Sequence, residues 1–207
     1  MNMPVSTFTN GKWKQNSFVV VSGKINTAIV IDPGYEDTHL VQKLVELQTT
    51  QIVILLTHAH IDHVGYASEL KKLFSADIYL CEYDSMLLKQ VNVYAKFMGN
   101  HPKIEVPKIE NFFNENNIPE IFEQLGVKVI FTPGHTDGSV SYLIQNFLFS
   151  GDLIFQNQTG RSDLPGGDPQ KMRTSIKKII QLDSKIVVFP GHGGPFILGD
   201  FVHGEIF

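Results

Sequence analysis

Within six residues the chain places three imidazoles and a carboxylate, in the run His58-Ala59-His60-Ile61-Asp62-His63. Imidazole nitrogen and carboxylate oxygen are the donors that a borderline cation such as zinc accepts at about 2.0–2.2 Å. A structural zinc site is expected to use thiolates, and the one cysteine, Cys81, lies well outside this run. A donor set of nitrogen and oxygen alone points instead to a catalytic centre with an open position for water. An exposed histidine-rich turn is the competing reading of the run by itself. Three further residues stand in comparable settings: His135 after Thr132-Pro133-Gly134, Asp152 after Ser150-Gly151, and His192 within Pro190-Gly191-His192-Gly193. Read singly they are ambiguous, because an aspartate beside glycine is commonly a turn residue. His39, His101 and His203 lack such settings and are expected on the surface.

The elements that must position these residues are legible from periodicity. Short apolar runs alternate with helix-period segments, the pattern of an α/β domain. Strands are predicted over Ser17–Ser22 and Thr27–Ile31, joined by a turn at Gly23-Lys24, with Asp32-Pro33-Gly34 ending the second. Asp37 is the expected N-cap of a helix with Leu40, Val41, Leu44 and Val45 on one face. Ile52–Leu56 reads as a buried central strand running into Thr57-His58, followed by a helix with Ala67, Leu70 and Phe74 on one face. Further strands are expected over Asp77–Cys81, Val127–Phe131, Ser139–Ile144, Phe147–Phe149 and Ile186–Phe189. Asp168-Pro169 opens a helix whose buried face carries Met172, Ile176, Ile179 and Ile180. Between about 90 and 119, asparagines together with Pro102 and Pro107 predict loops and broken helix. Phe97, Phe112 and Phe113 there either line a cleft or pack beneath a loop, and packing is the expectation. Four strands thus end in a histidine or aspartate, usually beside glycine or proline. Strand ends hold side chains rigidly while the adjoining turns open onto a cleft, so this recurrence predicts one shared site.

Composition narrows the field. The 207 residues, 43% of them apolar, predict a single domain over 1–207 with a sizeable core. A net charge of −4 without basic runs gives no electrostatic footprint for nucleic acid. No apolar stretch is long enough to span a bilayer, and Met1–Ser6 has no secretory pattern, so a cytoplasmic protein is expected.

His58, His60, Asp62 and His63, then His135, Asp152 and His192 in that order, resemble the full ligand set of the metallo-β-lactamase superfamily. The resemblance extends from Asp32-Pro33-Gly34 to Gly191-His192-Gly193. It implies a four-layer αββα sandwich, with His58, His60 and His135 on one metal, Asp62, His63 and His192 on a second, and Asp152 bridging them. Two divalent ions are implied, with zinc the expected metal and iron or manganese the alternatives. Asp152 stands where one class of true β-lactamases has cysteine, which disfavours antibiotic hydrolysis. His60 stands where flavodiiron proteins use glutamate, and the inserted domains of the RNA-processing members have no room in this length.

Thr132-Pro133-Gly134-His135-Thr136 and Gly160-Arg161-Ser162-Asp163-Leu164-Pro165-Gly166-Gly167-Asp168 are similar to the short glyoxalase II-type proteins, the hydroxyacylglutathione hydrolases. That similarity implies a small-molecule thioester substrate such as S-lactoylglutathione, cleaved by a metal-activated water with Asp62 as the catalytic carboxylate. Arg161 is a candidate substrate contact, and a simple pair with Asp163 is the competing reading. A monomer or homodimer is expected, without nucleic-acid or membrane partners. Only Gly193–Phe207 follow His192, so a helical glutathione-binding domain of the kind found in longer glyoxalase II enzymes is not expected. Two other chemistries use the same residues. His58, His135 and Asp152 form the facial set of a mononuclear-iron persulfide dioxygenase, and a lactone hydrolase would use the whole centre. A metal-binding module without activity is the non-enzymatic alternative, disfavoured by seven filled ligand positions.

Overall fold

A computed structural model of the chain describes residues 4–97 and 102–201. Two mixed sheets dominate the described residues. The first runs in the order β1 (Ser6–Asn10), β2 (Gln15–Val21), β3 (Thr27–Ile31), β4 (Gln51–Leu55), β5 (Asp77–Cys81), β6 (Asn111–Phe113). Its first three strands are antiparallel neighbours, and β3 through β6 are parallel ones. The second sheet pairs β7 (Val127–Phe131), β8 (Val140–Ile144) and β9 (Phe147–Gly151) antiparallel. It then adds β12 (Val187–Pro190) parallel to β9 and β13 (Phe196–Ile197) at the edge. A small hairpin, β10 (Ile154–Phe155) with β11 (Gln158–Thr159), lies between β9 and β12 in the chain. The helices are α1 (Thr38–Leu47), α2 (Ile61–Val64), α3 (Ala67–Phe74), α4 (Ser85–Lys89), α5 (Val91–Phe97), α6 (Glu120–Leu125) and α7 (Pro169–Ile179).

Strand alternation assigns the layers. Successive side chains point to opposite faces, so a strand buried on both faces feeds two different cores. In β3, Ala28 and Val30 join a cluster with Leu40 and Leu44 of α1 and Leu70 of α3, whereas Ile29 and Ile31 join one with Phe122, Tyr142 and Phe149. In β4 the same split separates Ile54 from Val53 and Leu55. Across the second sheet, Phe149 faces the first sheet while Leu148 and Val188 face Met172, Ile176 and Ile179 of α7. Three cores separated by two sheets make four layers, helix, sheet, sheet, helix, and the αββα expectation holds. Asp37 accepts from the amides of His39 and Leu40, and Asp168 from those of Gln170 and Lys171, each cap worth about 1 kcal/mol.

The structure departs from the sequence reading in several places. β1 was not expected, because its burial alternates only between half-buried and exposed residues and so carries no apolar run. Val45 is 60% exposed on α1, and Val41 is half-buried, because only the Leu40 and Leu44 ridge reaches the sheet. Ile180 is the C-cap of α7 and half-buried rather than core. The stretch after residue 90 holds α5 and β6 in addition to loop. Phe113 is buried between the sheets and Phe112 projects outward, so neither lines a cleft. The side chain of Phe97, and His101 and His203, lie outside the described residues. Among the described residues no helix is long and apolar enough to cross a membrane.

Candidate metal centre

Strand direction brings the ligands together. Since β8 is antiparallel to both β7 and β9, and β12 is parallel to β9, the strands β7, β9 and β12 all run the same way. Their carboxyl ends therefore reach one edge of the second sheet, where His135, Asp152 and His192 follow. In the first sheet the parallel strands β3 and β4 likewise end together, at Asp32 and at Thr57–His63. Two bonds fasten the edges to each other: Val140 N–H donates to Thr57 O (2.9 Å) and the buried Tyr142 hydroxyl to Leu56 O (2.9 Å).

The seven predicted ligands converge there. His58, His60 and His135 form one group with donor atoms within 4.8 Å of one another, and Asp62, His63 and His192 form a second. Asp152 lies between the groups. Its Oδ1 is 3.4 Å from His63 Nε2, and its Oδ2 is 3.6 Å from His135 Nε2 and 3.5 Å from His192 Nε2. Asp62 Oδ2 is 3.3 Å from His192 Nε2 and 3.8 Å from His63 Nε2. Tetrahedral ligands about 2.1 Å from a common cation stand about 3.4 Å apart, and these separations cluster on that value. The buried atoms His58 Nε2, His63 Nε2 and Asp152 Oδ1 have no hydrogen-bond partner among the described residues, although buried polar atoms ordinarily find one. The residues fit a pair of metal ions on these observations. His60 Nδ1 lies 2.8 Å from His135 Nε2, the separation of a hydrogen bond rather than of two ligands on one cation. His60 Nε2 is also buried without a partner, and the structure gives no account of it.

Fixed tautomers aim the ligands. The carbonyls Arg161 O and Trp13 O can only accept, so His135 and His192 carry protons on Nδ1, at 2.7 and 2.9 Å, and turn their Nε2 atoms inward. Asp32 accepts from Thr57 N (2.7 Å), Thr57 Oγ1 (2.6 Å) and His63 Nδ1 (2.8 Å), while Thr57 Oγ1 in turn meets His58 Nδ1 at 3.0 Å. One buried carboxylate thus orients two histidines. Asp32, His58 and His63 are also close enough to form a metal group of their own. Since the oxygens of Asp32 are already engaged by three donors, we assign it to support rather than ligation.

The electrostatics divide the histidines. Burial, and then the neighbouring imidazoles, hold His58 well below the usual histidine range, and His60 at about 3. Burial also lowers His135. All three are neutral at pH 7, the state in which an imidazole can bind a cation. Burial opposes charge on His63 as well, but Asp152, Asp62 and Asp32 outweigh it and raise its pKa well above normal. His192 behaves likewise: burial opposes charge, yet bonds to Asp152 and Asp62 lift it to about 10. The charges of His63 and the bonds from His192 in turn hold Asp62 and Asp152 ionised against the cost of burial.

In front of the ligands lies a cavity of about 970 Å³, lined by His60, Asp62 and Asp152 and by Trp13, Tyr94 and Phe155. Trp13 comes from the turn between β1 and β2, Tyr94 from α5 and Phe155 from β10, none of them singled out by the sequence reading. An aromatic residue in a turn carries no periodic signal, and Tyr94 sits in the stretch where pattern failed. Arg161 lines the same cavity, and its guanidinium makes a bidentate pair with Asp163 at 2.9 Å on both bonds. Its backbone carbonyl, which orients His135, is the contact it makes with the centre. His39 is exposed as expected, its side chain 86% accessible.

Fold and ligand geometry together define the class, and comparison with known proteins agrees. A family model of the metallo-beta-lactamase superfamily matches residues 10–192, and the chain belongs to that superfamily. It is 33% identical over 201 residues to the hydroxyacylglutathione hydrolase GloC of Haemophilus influenzae, covering 95% of this chain and 92% of that protein. Among solved structures it is similar to TTHA1623 in a di-iron-bound form, with a TM-score of 0.83, 32% identity and coverage of 94% of this chain and 95% of that one. It is also similar to BLEG-1, named as a B3 metallo-beta-lactamase, with a TM-score of 0.84, 31% identity and 95% coverage of each chain.

Proposed function

We propose that the protein hydrolyses thioesters at a two-metal centre, with S-lactoylglutathione as the first candidate substrate. The observation that carries this reading is the sharing of Asp152 between two donor groups that open on one cleft. His58, His60 and His135 would hold one ion, Asp62, His63 and His192 the other, and Asp152 would touch both. Bound there, two divalent ions would lower the pKa of a shared water and polarise the substrate carbonyl. Asp62 lines the cavity as an ionised carboxylate and can accept a hydrogen bond from the attacking water, orienting it. A thiolate leaving group has a pKa of about 8.5 and departs without a dedicated general acid. Among the described residues, the histidines that line the cleft belong to the ligand groups.

Support for a thioester comes from the Gly160–Asp168 motif and from the similarity to GloC. The TTHA1623 likeness makes iron a candidate alongside zinc and manganese. The BLEG-1 likeness requires a β-lactam among the substrates tried. The deciding experiment measures metal content of the purified protein and then steady-state turnover of S-lactoylglutathione, a simple lactone and a β-lactam. Two metals per chain with thioester turnover, lost in His60→Ala and Asp152→Ala, is the expected outcome. One iron per chain with oxygen uptake on a persulfide substrate would replace this reading with the dioxygenase, and turnover confined to the lactam or the lactone would replace the thioester.

A further inference from the structure

We propose that Asp84 is a positioning residue for the metal group His58, His60 and His135, strapping together the two loops that carry them. The inference rests on the reading of those residues as metal ligands. Asp84 follows β5, the parallel neighbour of β4, so it emerges at the same sheet edge as His58. It occupies the N-cap position of α4, where an aspartate ordinarily bonds the first free amides of the helix. Its side chain makes no such bond. The carboxylate instead turns inward, is 1% exposed, and accepts from Ala59 N (2.8 Å), Thr136 Oγ1 (2.9 Å) and Gly138 N (2.8 Å).

Ala59 is the residue between His58 and His60, and Thr136 directly follows His135. Every ligand of this group is therefore one residue away from an atom that Asp84 holds. No ligand of the second group, Asp62, His63 and His192, has that relation to it. The fit is close: a Cβ on Gly138 would lie 2.6 Å from Asp84 Cγ, so the loop reaches the carboxylate only because residue 138 has no side chain. Thr136 is itself pinned by Ser139, whose Oγ meets Thr136 Oγ1 at 2.7 Å and accepts from Thr136 N at 3.0 Å. Outer residues that orient ligands change metal affinity by about 10- to 100-fold when removed.

The test is zinc binding to Asp84→Asn by chelator competition, with melting of the metal-free protein as a measure of folding. In His60→Ala the affinity that disappears marks the histidine group. An asparagine oxygen can still accept from Ala59 and Thr136, but its NH₂ then faces the Gly138 N–H, donor against donor. The marked affinity is expected to fall by about 10-fold or more, with the other affinity within about twofold of wild type. Should Asp84→Asn fail to fold, Thr136→Val removes one hydroxyl at constant volume and is expected to give a smaller loss at the same site. Unchanged affinities, or equal losses at both sites, in a folded variant would overturn the positioning role while leaving the metal centre standing. A wild-type protein that binds no zinc, iron or manganese would remove the metal centre and this inference with it.

Discussion

Gly191 offers a stringent test of the centre because the absence of a side chain there is geometrically required. A Cβ at this position would lie 2.3 Å from Asp152 Oδ1 and 2.7 Å from His63 Cε1. To reach even a tight 3.0 Å contact, the carboxylate oxygen must retreat by about 0.7 Å, whereas metal–ligand distances tolerate about 0.2 Å. The backbone cannot yield instead, because Gly191 N–H donates to Gly151 O at 2.9 Å and Gly191 O accepts from Asn16 N at 2.8 Å. Gly191→Ala therefore displaces the carboxylate that stands between the two donor groups. Misplacement on the scale of 1 Å costs on the order of 100-fold in rate, while overpacking destabilises the fold by only about 1–3 kcal/mol. The assay pairs metal content after dialysis with kcat/KM on the thioester, and monitors folding by circular dichroism. Expected are a folded protein, loss of one or both metals, and a rate down by about two orders of magnitude. A folded Gly191→Ala protein with full metal content and wild-type kcat/KM would show that Asp152 does not stand where the centre needs it.

Further expectations follow from individual side chains. Asp32→Ala leaves Thr57 and His63 without their shared acceptor, and zinc affinity measured by chelator competition should fall about 10- to 100-fold. Arg161→Ala deletes only the exposed pair with Asp163 and keeps the carbonyl that orients His135, so metal content and melting temperature should match wild type. A rise in KM in that variant would identify the guanidinium as a substrate contact, and an unchanged KM would confine it to the ion pair. Burial holds the Asp84 carboxyl up at about 6 despite three donors that pull it down. Between pH 4 and 6 the folded chain keeps that proton while the unfolded chain has released it, so this group lowers stability as pH rises, by about 3 kcal/mol in all. In metal-free protein, the difference in unfolding free energy between wild type and Asp84→Asn should shift by that order across the window, and a flat difference would refute it.

The elements most legible in the sequence were those buried on both faces. Thr27–Ile31 and Asp77–Cys81 have the bounds their apolar runs predict, because such a run between polar turns has one physical meaning in an α/β chain, and Val127–Phe131 keeps its predicted bounds although Lys128 breaks the run and is exposed. Asp37 and Asp168 were readable as caps because capping depends on residues two or three positions away. β1 was invisible, since an edge strand with one half-buried face needs no apolar run. Val45 was misplaced because a helical stripe states which residues share a side, not how far the sheet extends beneath them.

The seven ligand candidates are nameable from residue type, strand-end setting and the resemblance of their order to the superfamily's ligand set. Their convergence followed from the directions of β3, β4, β7, β9 and β12, which no local pattern encodes. Asp32 and Asp84 show the limit most clearly. Each is an aspartate that follows an apolar strand, as Asp152 is, yet the fold makes one a support for His58 and His63 and leads the other away from its helix to Ala59 and Thr136. Residue chemistry is a property of the chain, and so the sequence determined what could bind. Which carboxylates face a cation and which hold its ligands depends on distances between segments far apart in the chain, and those exist only once the two sheets have packed.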